Sequence, residues 1–192
     1  FFDKIAKFIL NNSEKIYLQN LEMENYVTRY TNKKKEILYL SNWTEDIFIS
    51  PKNKVDNSEC NIVMAGNIGE AQGINELIEK LADLKDLLNY QKKIFKIHVI
   101  GDGVKKNLLI KKVKDFNLDK YFIFYGRLSP KETSVVFKKC NFGLSIYSSK
   151  QLFLESIIPS RFISYIASNL LVITNSLGAQ KALIDKNNCG YA

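Results

Sequence analysis

Apolar and polar positions change their spacing several times along this 192-residue chain. Residues 2–10 and 21–30 carry a helical pattern, while the short runs 15–18 and 37–40 predict strands. The polar stretch from Ser50 to Ser58 reads as a linker or exposed loop. A regular rhythm follows. Strand 61–65 leads to a helix over 71–88, and strand 95–100 to Gly101-Asp102-Gly103 and a helix over 104–116. Strand 121–125 leads to Gly126-Arg127-Leu128 and a helix from Pro130 to Lys139, with Ser129 as its cap and Pro130 in its first position. Strand 142–147 precedes a loop and a helix near 160–168, and strand 170–174 precedes a short helix near 179–185. A last strand begins at Gly190. Alternating strands and helices predict an α/β fold, a parallel sheet with helices on both faces. In such sheets ligands bind beyond the carboxyl ends of the strands, and each glycine-bearing turn lies at such an end.

The first of these turns is the richest in glycine. Gly66, Gly69 and Gly73 fall where an apolar run, Ile62-Val63-Met64-Ala65, gives way to the helical pattern. A helix start offers unpaired N–H groups and the positive end of a dipole, and glycines let phosphates approach that backbone. A tight turn that merely needs positive φ would use the same residues.

Composition narrows the class. Hydrophobic residues make up 46% and charged residues 25% of the chain, which suits a packed core and argues against disorder. There is no run of 18 apolar residues to cross a membrane, and the opening FFDKIAKFIL, with charges inside it, is not a secretory signal. The chain does not start with Met and stops at Cys189-Gly190-Tyr191-Ala192, which reads as a piece of a longer protein. Cys60, Cys140 and Cys189 are far apart and odd in number, so no metal spacing exists and a reducing compartment is expected. The net charge is +8. Its lysine clusters (Lys33 to Lys35, Lys105-Lys106, Lys111-Lys112) are read first as solvated helix faces, and otherwise as attraction to anionic substrates or membrane. No DNA- or RNA-binding motif accompanies the charge.

Several nucleotide motifs are missing. Residues 66–73 read G-x-x-G-x-x-x-G, not the dinucleotide fingerprint, and neither a Walker pattern nor a G-x-S-x-G elbow occurs. What the chain does carry is an ordered series: Ser41-Asn42-Trp43, Gly66-Asn67-Ile68-Gly69, Ala71-Gln72-Gly73, Gly101-Asp102-Gly103, Tyr125-Gly126-Arg127 and Pro159-Ser160-Arg161, with Ala167 and Val172 following. This series resembles the GT-B glycosyltransferases of family 4 (group 1). Its closest subgroup includes bacterial N-acetyl-L-fucosamine transferases of surface-polysaccharide synthesis.

The resemblance implies a Rossmann-like domain, the C-terminal, nucleotide-sugar-binding half of a GT-B fold, over 41–192. Residues 1–40 would be the tail of the N-terminal acceptor domain and the connection between domains. It implies sugar transfer with retention of configuration from a nucleotide diphosphate sugar, a UDP-sugar first among them, without a bound metal or cofactor. The acceptor would be a glycan or lipid-linked, and the setting the cytoplasmic side of the membrane. A chain holding only the donor half is expected to be catalytically inert.

The same resemblance marks Gly66, Asn67, Gly69, Gln72, Gly73, Gly103, Gly126, Arg127, Ser160, Arg161 and Ser164 as donor-binding positions. Where the family carries an Arg and a Lys in its first glycine loop, this chain has Asn67 and Gln72, as the subgroup does. Arg161, in a helix that Ser160 would cap, is the candidate for the missing cation. The family's two glutamates, eight positions apart, fall on Ser156 and Ser164; Glu155, one residue off, is the candidate catalytic carboxylate. Asp102 reads as a turn residue, His98 as a satisfied core residue, Trp43 as packed at the interdomain connection, and the aromatics of 121–125 as core. Two rivals stand beside this reading: a GT-B sugar-nucleotide epimerase, whose His and acidic residues are not visible, and a non-catalytic α/β binding or assembly domain.

Overall fold

The computed structural model describes residues 2–31, 35–49, 59–90, 94–149 and 156–192. The expected loop 50–58 and Glu155 lie outside them. The chain opens with α1 (Phe2–Asn12), whose C-terminal end is tied down by the Lys35 ammonium, which donates to Asn11 O (2.7 Å) and Ser13 O (2.8 Å). A small β-α-β unit follows. β1 (Lys15–Leu18) pairs in parallel with β2 (Glu36–Tyr39) across a 3-10 turn at Leu21–Met23 and α2 (Glu24–Thr28). Alternate residues Ile16 and Leu18 turn inward and meet Val27 in a core of their own.

The main sheet has six strands. They are β3 (Glu59–Ala65), β4 (Ile94–Ile100), β5 (Phe122–Gly126), β6 (Phe142–Ser145), β7 (Leu171–Thr174) and β8 (Gly190–Tyr191). All are parallel, in the order β5-β4-β3-β6-β7-β8. The helices between them are α3 (Ile74–Asp83), α4 (Lys85–Tyr90), α5 (Lys106–Asp115), α6 (Pro130–Phe137), α7 (Ser160–Ala167) and α8 (Ala179–Asn187). The strands are apolar on both sides because both faces are covered. Val63 and Ala65 meet Phe137, Phe162 and Tyr165 on one face, while Met64 meets Ile74, Ile78 and Leu109 on the other. This is the Rossmann-like α/β arrangement expected from the sequence.

The structure departs from the sequence reading in several places. The helix expected over 71–88 starts at Ile74 and breaks at Leu84, because residues 71–73 are engaged by the chain beyond β6. The strand expected over 142–147 ends at Ser145. The aromatics of 121–125 are not all core: Tyr121 and Phe122 are buried, but Tyr125 is 38% exposed on edge strand β5.

Candidate functional site

The chain builds β3, β4 and β5 outward to one side, then crosses back to lay β6, β7 and β8 on the other. Strand order therefore reverses between β3 and β6, and a crevice opens there at the carboxyl ends. Its opening has a local cause. β3 and β6 pair only at Ile62↔Phe142 and Val63↔Gly143. Beyond that point the hydroxyl of buried Tyr165 takes the Ala65 N–H (2.8 Å). Gly143 makes room for that ring, since a Cβ there would lie 2.3 Å from Tyr165 Cγ. Burial pushes the Tyr165 phenol up to about 12, so it stays a neutral hydrogen-bonding wedge.

The glycine turns line the rim. Gly66 N–H donates to Ile100 O (3.0 Å), Gly101 N–H to Gly126 O (2.8 Å) and Ile68 N–H to Asp102 O (2.9 Å), so the turns after β3, β4 and β5 are laced together. Gly101 has φ +135°, and a Cβ there would lie 1.8 Å from Gly66 O. Gly73 lies against Tyr147, where a Cβ would come within 2.6 Å of the carbonyl oxygen. Gly69 and Gly103 flank the Asn67 side chain, and Gly66 faces Arg161. Some of these glycines thus serve backbone packing, and others leave space in front of polar side chains. Asp102 is a turn residue, as expected: its Oδ1 accepts from the Gly103 N–H (2.9 Å), which, with Lys106, holds its carboxyl below the usual value.

Arg161 reaches into the crevice from the first turn of α7. Its guanidinium carbon lies 5.6 Å from the centroid of the Tyr147 ring, and Nη1 lies 3.4 Å from the position a Cβ would take on Gly66. Its Nε and Nη2 are buried and find no hydrogen-bond acceptor among the described residues. Gln72 Oε1 is buried and unmatched in the same way, next to Tyr147, with which Gln72 forms an isolated antiparallel bridge. Buried guanidinium donors rarely go unsatisfied, so Arg161 suits an anion that supplies the acceptors, whereas Gln72 Oε1, itself an acceptor, calls for a donor. Beside the glycine loop, a cavity of ≈260 Å³ is lined by Gly69, Gln72, Glu76, Lys105 and Ser148, among others.

The remaining positions sort by place. Gly126 and exposed Arg127 lie at the end of β5 beside Lys106, whose ammonium sits 3.5 Å from Asp102 Oδ2. The sequence reading put Lys106 on a solvated helix face; its place at the start of the helix that follows Gly101-Asp102-Gly103 was the available signal. Ser160 is the first helical residue rather than the cap, since Pro159 takes the cap position without a side-chain bond. Ser164 shares a hydrogen bond with Thr44 (2.7 Å) and lines, with Ser160, Trp43 and Phe48, a second cavity of ≈310 Å³. Trp43 does not pack: it is 74% exposed, and Phe48 enters the core in its stead, 5.4 Å from Phe137 between ring centroids. His98 is buried with Nδ1 on Tyr125 Oη and Nε2 on Asn61 Oδ1, both at 2.9 Å, as a satisfied core residue should be. Tyr147, beneath Arg161, was missed because it reads as the end of a strand.

Residues 45–192 match the family described as Glycosyl transferases group 1. A comparison with curated protein sequences gave no match. Among solved structures, a mutant of S. aureus TarM, in complex with fondaparinux, alpha-GlcNAc-glycerol and UDP, superposes with a TM-score of 0.73 at 18% identity, over 98% of this chain and 36% of that one. Sucrose-phosphate synthase from Thermosynechococcus elongatus gives 0.73 at 16% identity, over 95% and 45%. Anabaena HepE, in complex with UDP and glucose, gives 0.69 at 11% identity, over 94% and 50%. The chain thus spans half or less of the length of these proteins.

Proposed function

The chain belongs to the glycosyl transferases group 1, and from that premise we propose that it is the donor-binding part of a retaining GT-B enzyme of family 4. The substrate is a nucleotide diphosphate sugar, with UDP as the favoured nucleotide, and the acceptor is a glycan or a lipid-linked sugar in bacterial surface-polysaccharide synthesis. The nearest subgroup on motif grounds is that of the N-acetyl-L-fucosamine transferases. Residues 41–192 form the donor domain, and 1–40 belong to the acceptor side and the connection. The protein works on the cytoplasmic side, and its +8 charge suits peripheral contact with an anionic membrane face. Among the described residues no helix is long and apolar enough to cross a membrane.

One observation carries this reading: the buried Nε and Nη2 of Arg161, at the switch point of the sheet, find no acceptor among the described residues. The departing nucleotide diphosphate gains negative charge as the sugar leaves. A fixed guanidinium at the start of α7 stabilises that charge more than the ground state, with no metal required. Gly66, Asn67, Gly69, Gln72, Gly73 and Gly103 border the diphosphate and sugar; Gly126 and Arg127 border the base; Ser160 and Ser164 lie on the ribose side. UDP in the TarM and HepE structures supports the choice of nucleotide.

The test is calorimetric titration of the chain with UDP, GDP, dTDP and CMP, repeated on Arg161→Ala. We expect UDP to bind selectively, with Kd on the order of 1 mM, and Arg161→Ala to weaken it at least about tenfold. Unchanged affinity in Arg161→Ala would remove the diphosphate role. A complete lack of nucleotide binding, here and in a longer protein that includes the partner domain, would favour the non-catalytic binding domain instead.

A further inference from the structure

Among the described residues the Tyr147 ring lies against the Arg161 guanidinium and no carboxylate forms an ion pair with it. An acidic partner would cancel the charge and occupy the N–H groups, whereas a ring face steadies the cation and leaves its donors free. The ring itself is unusually constrained. The Tyr147 N–H donates to Asn175 Oδ1 (2.9 Å), and the Tyr147 carbonyl accepts from Asn175 Nδ2 (2.8 Å). The Tyr147 hydroxyl accepts from Gln180 Nε2 (2.8 Å).

Gln180, in the first turn of α8, is fully buried. Its Oε1 accepts from Ser145 Oγ (2.8 Å) and Thr174 Oγ1 (3.2 Å), and its Nε2 donates a second bond to Ile157 O (3.2 Å). A carbonyl can only accept, so the contact with Ile157 fixes which way the amide faces. Both amide protons and the amide oxygen are used, as a buried polar network requires.

The contact with Ile157 has a second consequence. Three side-chain amides grip three successive carbonyls: Asn20 Nδ2 donates to Ser156 O (2.6 Å), Gln180 Nε2 to Ile157 O and Asn42 Nδ2 to Ile158 O (2.6 Å). That segment runs straight into Pro159, the cap of the helix that carries Arg161. Gln180 therefore holds both the ring beneath the guanidinium and the backbone that sets where α7 begins.

We infer that Tyr147 and Gln180 are a positioning pair for Arg161, fixing its guanidinium in the crevice with its donors free for the diphosphate. This rests on the donor-binding reading above for the identity of the ligand, but not for the geometry. A long side chain fixed before binding loses less freedom when the ligand arrives, and affinity rises accordingly.

Calorimetry with UDP tests the pair in a series of variants of this chain. Tyr147→Leu removes the ring and should weaken UDP by about tenfold. Tyr147→Phe keeps the ring but loses the tether and should weaken it by roughly threefold. On an Arg161→Ala background, Tyr147→Leu should cost nothing further, because both act through one guanidinium. Gln180→Leu removes four hydrogen bonds from the interior; if it fails to fold, Tyr147→Phe carries the test of the tether alone.

A second measurement does not need the ligand. The chain has three arginines, Arg29, Arg127 and Arg161, so the Nε–Hε resonance of Arg161 is assignable by difference with Arg161→Lys. It should carry a ring-current shift that Tyr147→Phe retains and Tyr147→Leu abolishes, and Tyr147→Phe should speed its exchange with water. If Arg161→Ala weakens UDP while Tyr147→Leu leaves it within twofold, or if the two effects add, the pair does not position Arg161 although the donor reading stands. If UDP does not bind at all, the donor reading fails, and the resonance alone decides: a shift that survives Tyr147→Leu overturns the pair, and one that vanishes supports it.

Discussion

At the residue scale, the sequence marks glycines but not what each one is for. Gly101 and Gly69 look alike in the chain and differ in the fold. Gly101 combines φ +135° with a backbone oxygen 1.8 Å from where a Cβ would stand, so the turns after β3 and β4 cannot both keep their places around a methyl group. Gly69 would meet only the end of the Asn67 side chain, at 3.2 Å, and that end can swing aside. Gly101→Ala should therefore cost about 3 kcal/mol or more in urea denaturation, and Gly69→Ala within about 0.5 kcal/mol. Equal costs would show that the lacing of the two turns contributes little. The same contrast explains why the glycine loop was readable only in outline. The pattern says that backbone comes close to something, and three-dimensional neighbours decide whether that is another strand's turn or a ligand.

At the element scale, caps were legible where the signal is local. Ser129-Pro130 reads as a cap followed by a first helical residue, and the structure shows a full capping box: Glu132 N–H donates to Ser129 Oγ (3.3 Å), and Glu132 Oε2 accepts from Ser129 N (2.8 Å) and Oγ (2.7 Å). Ser160 carries the same residue type one position too late, because proline's fixed φ and extended ψ put the cap at Pro159. The helix start at 71 failed for a non-local reason, the bridge from Gln72 to Tyr147 after β6. α6 supports a pH test. The Ser129 hydroxyl and then its N–H hold the Glu132 carboxyl below its ordinary value of 4.5. A lowered folded-state value means that the carboxylate stabilises the fold at neutral pH and that this contribution disappears as pH falls through that lowered value. Thermal melts of the wild type and Glu132→Gln should differ at pH 7 and converge once the pH has fallen below the lowered value of the carboxyl. A gap that persists in acid would mean that the amide disrupts packing rather than a charge-assisted cap. Ser129→Ala should cost about 1 kcal/mol throughout the neutral range.

At the scale of the whole molecule, alternation of strands and helices made the sheet legible, and the rule that ligands bind beyond carboxyl strand ends placed the crevice. What the sequence did not reveal was which side chains would meet there, since Arg161, Tyr147 and Gly66 come from three different crossings of the sheet. Nor did it show how the first 42 residues attach. Their β1–β2 unit has its own small core of Ile16, Leu18 and Val27, and leaves Phe2, Phe8 and Tyr17 on the surface. It reaches the rest largely through polar bonds, Asn20 to Ser156 O and Asn42 to Ile158 O, with Thr44 on Ser164 just beyond it. A two-stranded sheet is marginal by itself, whereas β3 and β4 are buried on both faces. Local opening should therefore reach the first unit at lower free energy. Native-state hydrogen exchange makes this testable. Backbone amides of Ile37 and Tyr39 should exchange at least about a hundredfold faster than those of Val63 and Val99, with a shallower denaturant dependence. Identical rates and slopes in the two groups would mean that the amide grip on residues 156–158 joins them into one cooperative unit. Asn20→Ala would then speed exchange in both groups alike, whereas in the expected case it speeds exchange in β1 and β2 and leaves Val63 and Val99 unchanged.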